Sequence, residues 1–469
     1  MDSRFSQALA WSGREARAKK RLALVSYISI AALALYIVIR FMGIPRLVDP
    51  TKLIRVTPWM IAEALLFSVP LFFLGYFLVA RFSGGEKWLG HYSAFFVLRL
   101  LAALTLAFVF FFDDERAFHY AALSRNFGFF LWEPVKAYYN LANLTYELFG
   151  ENILMLRLFN VFLGSLLPFF AHDVAKNIFG DERASTRAML FCGFLPPLII
   201  FSAVALKEMP TSFILILFLR CLTTTERRGS LSRWAGMLLS LLALYWLRGV
   251  LFVFPCVLCL IVYYSFGERP ARGEHKRRGY VQALLVFGLL SLFFLPALIP
   301  SVAKTVNERI ADEETSKTQA HASSSLIYRY MDIYKPLSPK NQALLFMRGI
   351  YSPSPITSLS AFNIDGIMGA VNMTVWYALF PLALICFLEW RRKSGMLACG
   401  TIVVLLLYII AIGISAGSNV YRHRMIATSL ICLMAAGTMT LQRKHRWVQY
   451  AWWLGALAYA GAWVALRAY

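Results

Sequence analysis

The sequence predicts an all-α polytopic bundle of about thirteen transmembrane helices, with amphipathic helices on the external membrane surface. Its 469 residues are 59% hydrophobic and 15% charged, whereas a soluble domain carries about 25% charged residues. The apolar residues occur in blocks of about 17 to 22, the length that crosses a hydrocarbon core of about 30 Å as a helix. Helices are expected because an isolated segment in lipid must satisfy its own backbone hydrogen bonds.

The apolar blocks place the predicted spans along almost the whole chain. The two shortest, 210–222 and 234–246, flank a basic loop. The predicted spans are 22–42, 59–80, 91–112, 153–172, 188–206, 210–222, 234–246, 250–266, 280–300, 371–389, 396–415, 425–441 and 447–466.

The basic residues predict the orientation of the chain. Residues 1–21 are rich in arginine and lysine and precede an apolar block that lacks a cleavage pattern, so the N-terminus is expected to be cytoplasmic and uncleaved. With this orientation every short, strongly basic loop falls on the cytoplasmic side, as the positive-inside rule requires. These loops contain Arg227, Arg228 and Arg233; Arg269, Arg272, Lys276, Arg277 and Arg278; Arg391, Arg392 and Lys393; and Arg443, Lys444 and Arg446. The formal charge of +22 is therefore attributed to topology and not to nucleic-acid binding.

The topology divides the chain into six regions. They are a basic cytoplasmic N-terminus (1–21), N-terminal helices (22–112), an external loop (113–152), a transmembrane core (153–300), a second external loop (301–370) and C-terminal helices (371–469). The segment 134–149 has helical periodicity, which predicts an amphipathic helix lying along the membrane interface. Its apolar face comprises Val135, Tyr138, Tyr139, Ala142, Tyr146 and Phe149, and its polar face comprises Lys136, Asn140, Asn143 and Glu147.

Two acidic motifs are predicted to lie on the external face. Asp113, Asp114 and Glu115 follow the third span directly, and Lys207-Glu208 forms a tight turn between two apolar blocks. Carboxylates beside hydrocarbon are costly to desolvate, so they are candidates for a general base or for groups that assist a metal ion. The alternatives are a solvated helix start whose acids complement the helix dipole, and an interfacial ion pair at the Lys207-Glu208 hairpin.

External arginines are the candidates for binding phosphate. Arg248 lies between two apolar runs, and Arg422-His423-Arg424 fills a short external loop, where the topology rule disfavours cations. Guanidinium groups bind phosphate oxygens bidentately, although anchoring to anionic headgroups is the alternative. The further candidates on external loops are His119, Tyr120 and Arg348.

The order of these motifs resembles the GT-C superfamily of membrane glycosyltransferases, in particular the branch of protein O-mannosyltransferases and aminoarabinose transferases of lipid A. The resemblance covers about residues 105–260 and, more loosely, 417–437. It rests on the acidic motif with Tyr120, on Leu156-Arg157-Leu158-Phe159-Asn160 with Gly164, on Ile178–Ala184, on Pro196-Pro197 leading to Lys207-Glu208, and on Arg422-His423-Arg424. The sequence departs from the family in placing two additional spans before the acidic motif.

The resemblance implies a donor, a site and a location. Asp113 or Asp114 would activate an acceptor hydroxyl, and attack on the anomeric carbon would displace polyprenyl phosphate with inversion. Lys207, Arg248, Arg422 and Arg424 would stabilise the departing phosphate. Glu208 would orient the acceptor or assist a divalent metal ion, the one candidate cofactor. The implied partners are a polyprenyl-phosphate sugar, membrane lipids and a glycan, lipid or protein acceptor, at the extracytoplasmic face of a bacterial inner membrane.

Three alternatives compete with this interpretation. A polysaccharide polymerase or ligase would use a polyprenyl-pyrophosphate glycan and would depend on Arg348 more than on Asp113 and Asp114. A lipid or solute transporter would place ionisable groups in broken helices near the midplane. A structural scaffold would not need paired charges concentrated at one depth.

Overall fold

The computed structural model describes residues 54–82, 86–124, 137–223, 231–248, 350–351, 364–393, 420–439 and 444–468. Within these ranges the chain forms twelve α-helices and one 3-10 turn, and no strand. The all-α class predicted from the sequence is therefore confirmed for the part of the chain that is described.

The described helices are numbered in chain order. In chain order they are α1 (Pro58–Phe82), α2 (Leu89–Ala107), α3 (Asp113–Leu123), α4 (Ala137–Phe149), α5 (Ile153–Phe179), α6 (Glu182–Phe194), α7 (Pro196–Ser202), α8 (Glu208–Thr223), α9 (Leu231–Leu247), α10 (Ile364–Lys393), α11 (Val420–Thr438) and α12 (Arg446–Ala468). The 3-10 turn Glu86–Trp88 precedes α2.

In the part of the chain that the structure describes, four helices are long and apolar enough to cross a membrane, within α1, α2, α5 and α10. The bent pair formed by α6 and α7 would be a fifth. These helices indicate an integral membrane protein. The count of about thirteen spans stays a prediction, because the predicted spans 22–42, 250–266, 280–300 and 396–415 lie outside the described residues.

The predicted span 188–206 is not one continuous helix. It is α6 and α7, which meet at an angle of 53°. Leu195 between them has an extended backbone, with φ −66° and ψ 128°, because a residue that precedes proline disfavours the α conformation. Pro196 and Pro197 then begin α7, where a proline is tolerated because the first N–H groups of a helix have no partner within it.

Helix α5 lies at the centre of the described bundle. It packs against α1, α2, α6 and α8, and α11 packs against α6, α8 and α10. Eighteen of the 27 residues of α5 are buried. We call the first half of α5 the Glu115 end, because Arg157 in this half pairs with Glu115. We call the last turns of α5 the Glu182 end, because His172 and Lys176 in these turns lie beside Glu182.

Ion pairs connect neighbouring helices at the Glu182 end. Arg220 Nε lies 2.8 Å from Asp173 Oδ2, and Lys87 Nζ lies 2.9 Å from Glu182 Oε1. The pair of Lys87 and Glu182 is about half exposed, so it contributes little to stability. These contacts join the ends of α5 and α8 and connect α6 to the turn before α2.

The helix predicted over 134–149 is present as α4, Ala137–Phe149, and its position at the membrane interface stays a prediction. Tyr138, Ala142 and Tyr146 of its apolar face are buried as predicted. Asn143 was predicted on the polar face but is buried, while Leu144 and Leu148 are exposed. The buried side of α4 is therefore wider than predicted and includes Asn143: it packs against α3 and α5, while the two leucines point away from the bundle.

The end of α6 has no space for a side chain at Gly193. A Cβ there would lie 2.2 Å from the ring of Phe95, which is fully buried and packed against Phe194 at 4.9 Å. We expect Gly193→Ala to lower the free energy of unfolding by about 1–3 kcal/mol, the usual cost of overpacking. The matched control is Gly461→Ala in α12, where no atom lies within 4 Å of the new Cβ. Thermal unfolding in detergent distinguishes the two, and equal stabilities would contradict the packing.

Candidate functional site

The three acids that begin α3 lie in three different environments. The Asp113 side chain is 70% exposed, with Arg116 Nη2 at 3.8 Å from its Oδ1. Asp114 is partly buried, and Glu115 is fully buried. Consecutive residues of a helix point in different directions, so only one of three adjacent acids can face the bundle core. All three stand in the first helical turn, where negative charge complements the helix dipole.

Glu115 forms a fully buried ion pair with Arg157 of α5. Arg157 Nε lies 2.6 Å from Oε1 and Nη2 lies 3.0 Å from Oε2, with both side chains at 0% exposure. Arg157 also donates to the carbonyls of Ala103 and Phe110, at 3.1 and 3.0 Å. A buried pair is tolerable only if its remaining donors are satisfied, and the two carbonyls at the end of α2 and just beyond it satisfy them here.

The same pair supports the irregular segment 203–207 between α7 and α8. Glu115 Oε1 accepts a hydrogen bond from the backbone N–H of Ala205 at 2.9 Å. Asn160 Nδ2 donates to the carbonyls of Val204 and Leu206 at 2.6 and 2.8 Å. Residues 203–206 are fully buried. Non-helical backbone at membrane depth requires such partners, and α3 and α5 supply them.

Segment 203–207 leads directly to a second carboxylate–arginine pair. Glu208 is fully buried in the first turn of α8, and Arg248 Nη2 lies 2.6 Å from its Oε1. Arg248 follows the end of α9, and its side chain remains 16% exposed. Lys207, beside this pair, is partly buried. Glu208 is therefore paired with Arg248, and the interfacial Lys207–Glu208 ion pair stays an alternative.

Arg424 lies at the same end of the bundle. Its Nη1 is 2.6 Å from Met373 Sδ, and its guanidinium carbon is 5.1 Å from the centre of the Trp376 ring. The neighbouring Met425 accepts a hydrogen bond through Sδ from Ser212 Oγ at 3.4 Å. Ser212 lies one helical turn after Glu208, to whose carbonyl it also donates at 3.0 Å. The second turns of α11 and α8 are therefore adjacent.

Tyr138 of α4 interacts electrostatically with the carboxylates of both ion pairs. Its side chain is fully buried. Burial raises the pKa of the Tyr138 hydroxyl well above its usual range, and the negative charges of Glu115 and Glu208 raise it further. Asn160 and Arg157 act in the opposite direction. Tyr138 therefore connects α4 electrostatically to the two carboxylates, Glu115 and Glu208.

His119 joins α3 to α4. Its Nδ1 lies 2.5 Å from the Tyr146 hydroxyl, and the imidazole is 9% exposed. Burial lowers the pKa of His119, although the negative charge of Glu151 opposes the shift. Tyr120, the next residue, is 59% exposed, so these two neighbouring candidates lie in opposite environments.

The buried His119 should make the hairpin of α3 and α4 sensitive to acid. Because its folded pKa is below the usual value of about 6.5, the unfolded state binds more protons as the pH falls below that value. Stability is therefore present above about pH 6.5 and is lost as the pH falls toward the folded pKa. We expect thermal stability in detergent to fall between about pH 7.5 and 5.5, and the fall to be smaller in His119→Gln. An identical pH dependence in the two proteins would contradict this.

Several of the predicted site residues lie at the same end of the bundle, and others lie outside the described residues. Glu115, Glu208, Arg248 and Arg424 are buried or nearly buried at the Glu115 end, with Lys207 beside them. Asp113 and Asp114 lie at the same helix start, where Asp113 is exposed and Asp114 is partly buried. The side chains of Arg422 and His423, and all of Arg348, lie outside the described residues.

Sequence reasoning missed the partners Arg157 and Asn160 as site residues. They were part of a motif, but no role was predicted for either. The available signal was a pair of strongly polar residues at i and i+3 within an apolar span, since such residues rarely face lipid. Among the described residues, no group of three histidine, cysteine, aspartate or glutamate side chains is arranged to hold a metal ion.

The fold and the site define an integral membrane protein that is all-helical in its described residues and encloses paired charges near one end of the described bundle. No family model matches the chain, and no curated protein or solved structure matches it. The likeness of its motifs to the GT-C transferases is therefore a ground for proposing a function.

Proposed function

We propose that this chain is a membrane glycosyltransferase that takes a sugar from a polyprenyl-phosphate donor. The acceptor is a glycan, lipid or protein at the extracytoplasmic face of a bacterial inner membrane. One observation carries the proposal: two buried carboxylate–arginine pairs, Glu115–Arg157 and Glu208–Arg248, flank one irregular segment beside an acidic helix start. Such an arrangement is costly in lipid, and a phosphate-linked sugar is a substrate that requires both acids and guanidinium groups.

The environments of the acids support a division of roles. Both oxygens of Glu115 are occupied, by Arg157 and by the Ala205 N–H, so Glu115 is poorly suited to accept a proton. Asp113 is exposed and Asp114 is partly buried at the start of α3, and the two remain the candidates for the general base. In this mechanism one of them takes the proton of the acceptor hydroxyl while the acceptor oxygen bonds to the anomeric carbon.

The leaving group calls for cations near Glu208. As the bond between the anomeric carbon and the phosphate oxygen breaks, its electron pair passes to polyprenyl phosphate. Lys207, Arg248 and Arg424 are the described candidates for stabilising that charge, with Arg422 as a further candidate. A guanidinium has five N–H donors, so Arg248 can hold Glu208 and a phosphate oxygen together. Glu208 then orients the acceptor or assists a divalent ion.

The direct test is transfer by purified protein in nanodiscs. Labelled polyprenyl-phosphate sugars are supplied with lipid, glycan or peptide acceptors, with and without Mg²⁺, and products are separated from the donor. The proposal expects a labelled product and release of polyprenyl phosphate. Intact donor throughout, across a panel of sugars and acceptors, would refute it.

A second candidate is a lipid or solute transporter. The broken pair α6 and α7, with the fully buried Arg99 beside the break, favours it, because transporters use discontinuous helices and buried charges at their binding sites. Uptake or lipid flipping in liposomes without a glycosyl product would support transport instead.

A further inference from the structure

Two carbonyl groups at the end of α6 lose their normal donors. In an α-helix the N–H of residue i donates to the carbonyl of residue i−4. The donors for Cys192 and Gly193 would therefore be residues 196 and 197, and both are proline. Proline has no N–H, so these two carbonyls need donors from elsewhere, and in a membrane an unsatisfied carbonyl costs several kcal/mol.

Arg99 supplies donors to these same two carbonyls. It lies near the middle of α2 and is 0% exposed. Its Nη2 donates to the Cys192 carbonyl at 2.9 Å, and its Nη1 donates to the Gly193 carbonyl at 3.0 Å. The carbonyls at the end of a helix carry partial negative charge, so they also stabilise the buried cation.

Gly164 provides the space for this arrangement. A Cβ at Gly164 of α5 would lie 3.2 Å from Arg99 Nε and 2.4 Å from the Cβ of Ser202, the last residue of α7. The guanidinium therefore lies in a close-packed position between α5 and the bend. Close packing at this position restricts how α5 and the bend can be arranged around it.

The bend determines where the site segment begins. Helix α7 has seven residues, and the irregular segment 203–207 follows it directly and ends at Glu208. A change in the angle between α6 and α7 would move the Ala205 N–H away from Glu115, to which it donates. It would also displace Glu208 from Arg248.

We propose that Arg99 is a positioning residue: by replacing the two N–H donors that Pro196 and Pro197 lack, it fixes the bend and thereby places Lys207 and Glu208. Its effect on sugar transfer rests on the proposed function. Its effect on the bend and on segment 203–207 does not.

A four-protein cycle tests the replacement of donors. The proteins are wild type, Arg99→Leu, the double variant Pro196→Ala/Pro197→Ala, and the combination of all three substitutions. Arg99→Leu should lower the Tm in detergent by several degrees. The alanines return backbone N–H groups for the two carbonyls, so Arg99→Leu should lower the Tm less in the double-alanine background. Equal losses in the two backgrounds would overturn the assignment of Arg99 to these carbonyls.

Hydrogen exchange tests the positioning. Peptides covering 203–208 should exchange faster in Arg99→Leu, at temperatures where the rest of the described core remains protected. Arg99→Lys, which keeps the charge and three donors, should restore part of the protection. Unchanged exchange at 203–208 in Arg99→Leu would overturn the positioning role, whatever the activity.

The transfer assay separates this inference from the proposed function. If wild type transfers sugar, Arg99→Leu should lower kcat at least tenfold. The variant with all three substitutions should regain stability but not activity, because the alanines do not restore the bend. Full activity in Arg99→Leu would overturn the positioning role. If wild type transfers no sugar, the proposed function fails, and the thermal cycle and hydrogen exchange still decide the role of Arg99.

Discussion

Replacing Asp113 and Asp114 together by asparagine should lower the rate of sugar transfer by about 10²–10⁴-fold, the usual contribution of a general base. Asp113 is exposed and Asp114 is partly buried at the start of α3, and neither belongs to the fully buried core. The expected change in stability is small, about 0.3–1 kcal/mol for each lost charge at a helix N-terminus. The double variant should therefore unfold close to the wild-type temperature while being nearly inactive.

A matched control distinguishes a base from any nearby negative charge. Glu147→Gln removes an exposed acid from α4 and should leave the transfer rate unchanged. The single variants Asp113→Asn and Asp114→Asn then show which residue accepts the proton. Transfer that survives the double substitution would exclude both as the base and would favour the polymerase or ligase, for which Arg348 is the residue to replace next.

Removing the Glu115 side chain should cost far more stability than removing any surface acid. Glu115→Ala leaves the Arg157 guanidinium buried without its counter-ion and the Ala205 N–H without its acceptor. Breaking a buried pair by removing one partner costs about 3–5 kcal/mol. We expect a correspondingly large decrease in Tm in detergent. At its largest, this decrease would leave no folded protein at ordinary temperatures.

The double variant Glu115→Leu/Arg157→Met keeps this prediction testable if the single variant fails to fold. Removing both charges avoids the uncompensated cation, so the double variant should be more stable than Glu115→Ala. Lys87→Ala, at a half-exposed pair of the Glu182 end, is the control and should cost about 1 kcal/mol or less. A Glu115→Ala protein as stable as Lys87→Ala would show that the buried pair is not formed.

The predicted helices agree with the structure where hydrophobicity alone determines them. The predicted span 59–80 is α1, Pro58–Phe82, and 371–389 lies within α10, Ile364–Lys393. Span 153–172 also began at the right residue, but the helix continues to Phe179, because the polar residues of its last turns find partners at the Glu182 end. An apolar window detects contact with lipid, and it ends a helix too early where charged residues are paired.

The site was only partly predictable. Glu115 was a secondary candidate beside Asp113 and Asp114, yet it is the acid that the protein encloses. Three consecutive acids are equivalent in a sequence, and the rotation of α3 about its axis decides which one meets Arg157. The partner is 42 residues away in the chain, and no local pattern connects the two. Pro196-Pro197 was recognisable as a motif in the sequence. The hydrogen bonds from Arg99 to the Cys192 and Gly193 carbonyls before it were not predictable.

The amino-acid sequence by itself determined that this chain is helical, that it enters the membrane, and that acids stand at the starts of α3 and α8. These properties depend on local composition and on the cost of exposing a peptide group or a charge to lipid. Only the tertiary structure decided which carboxylates are neutralised, which carbonyls Arg99 satisfies and which acids stay accessible. Those outcomes depend on distances between residues far apart in the chain, and packing sets such distances.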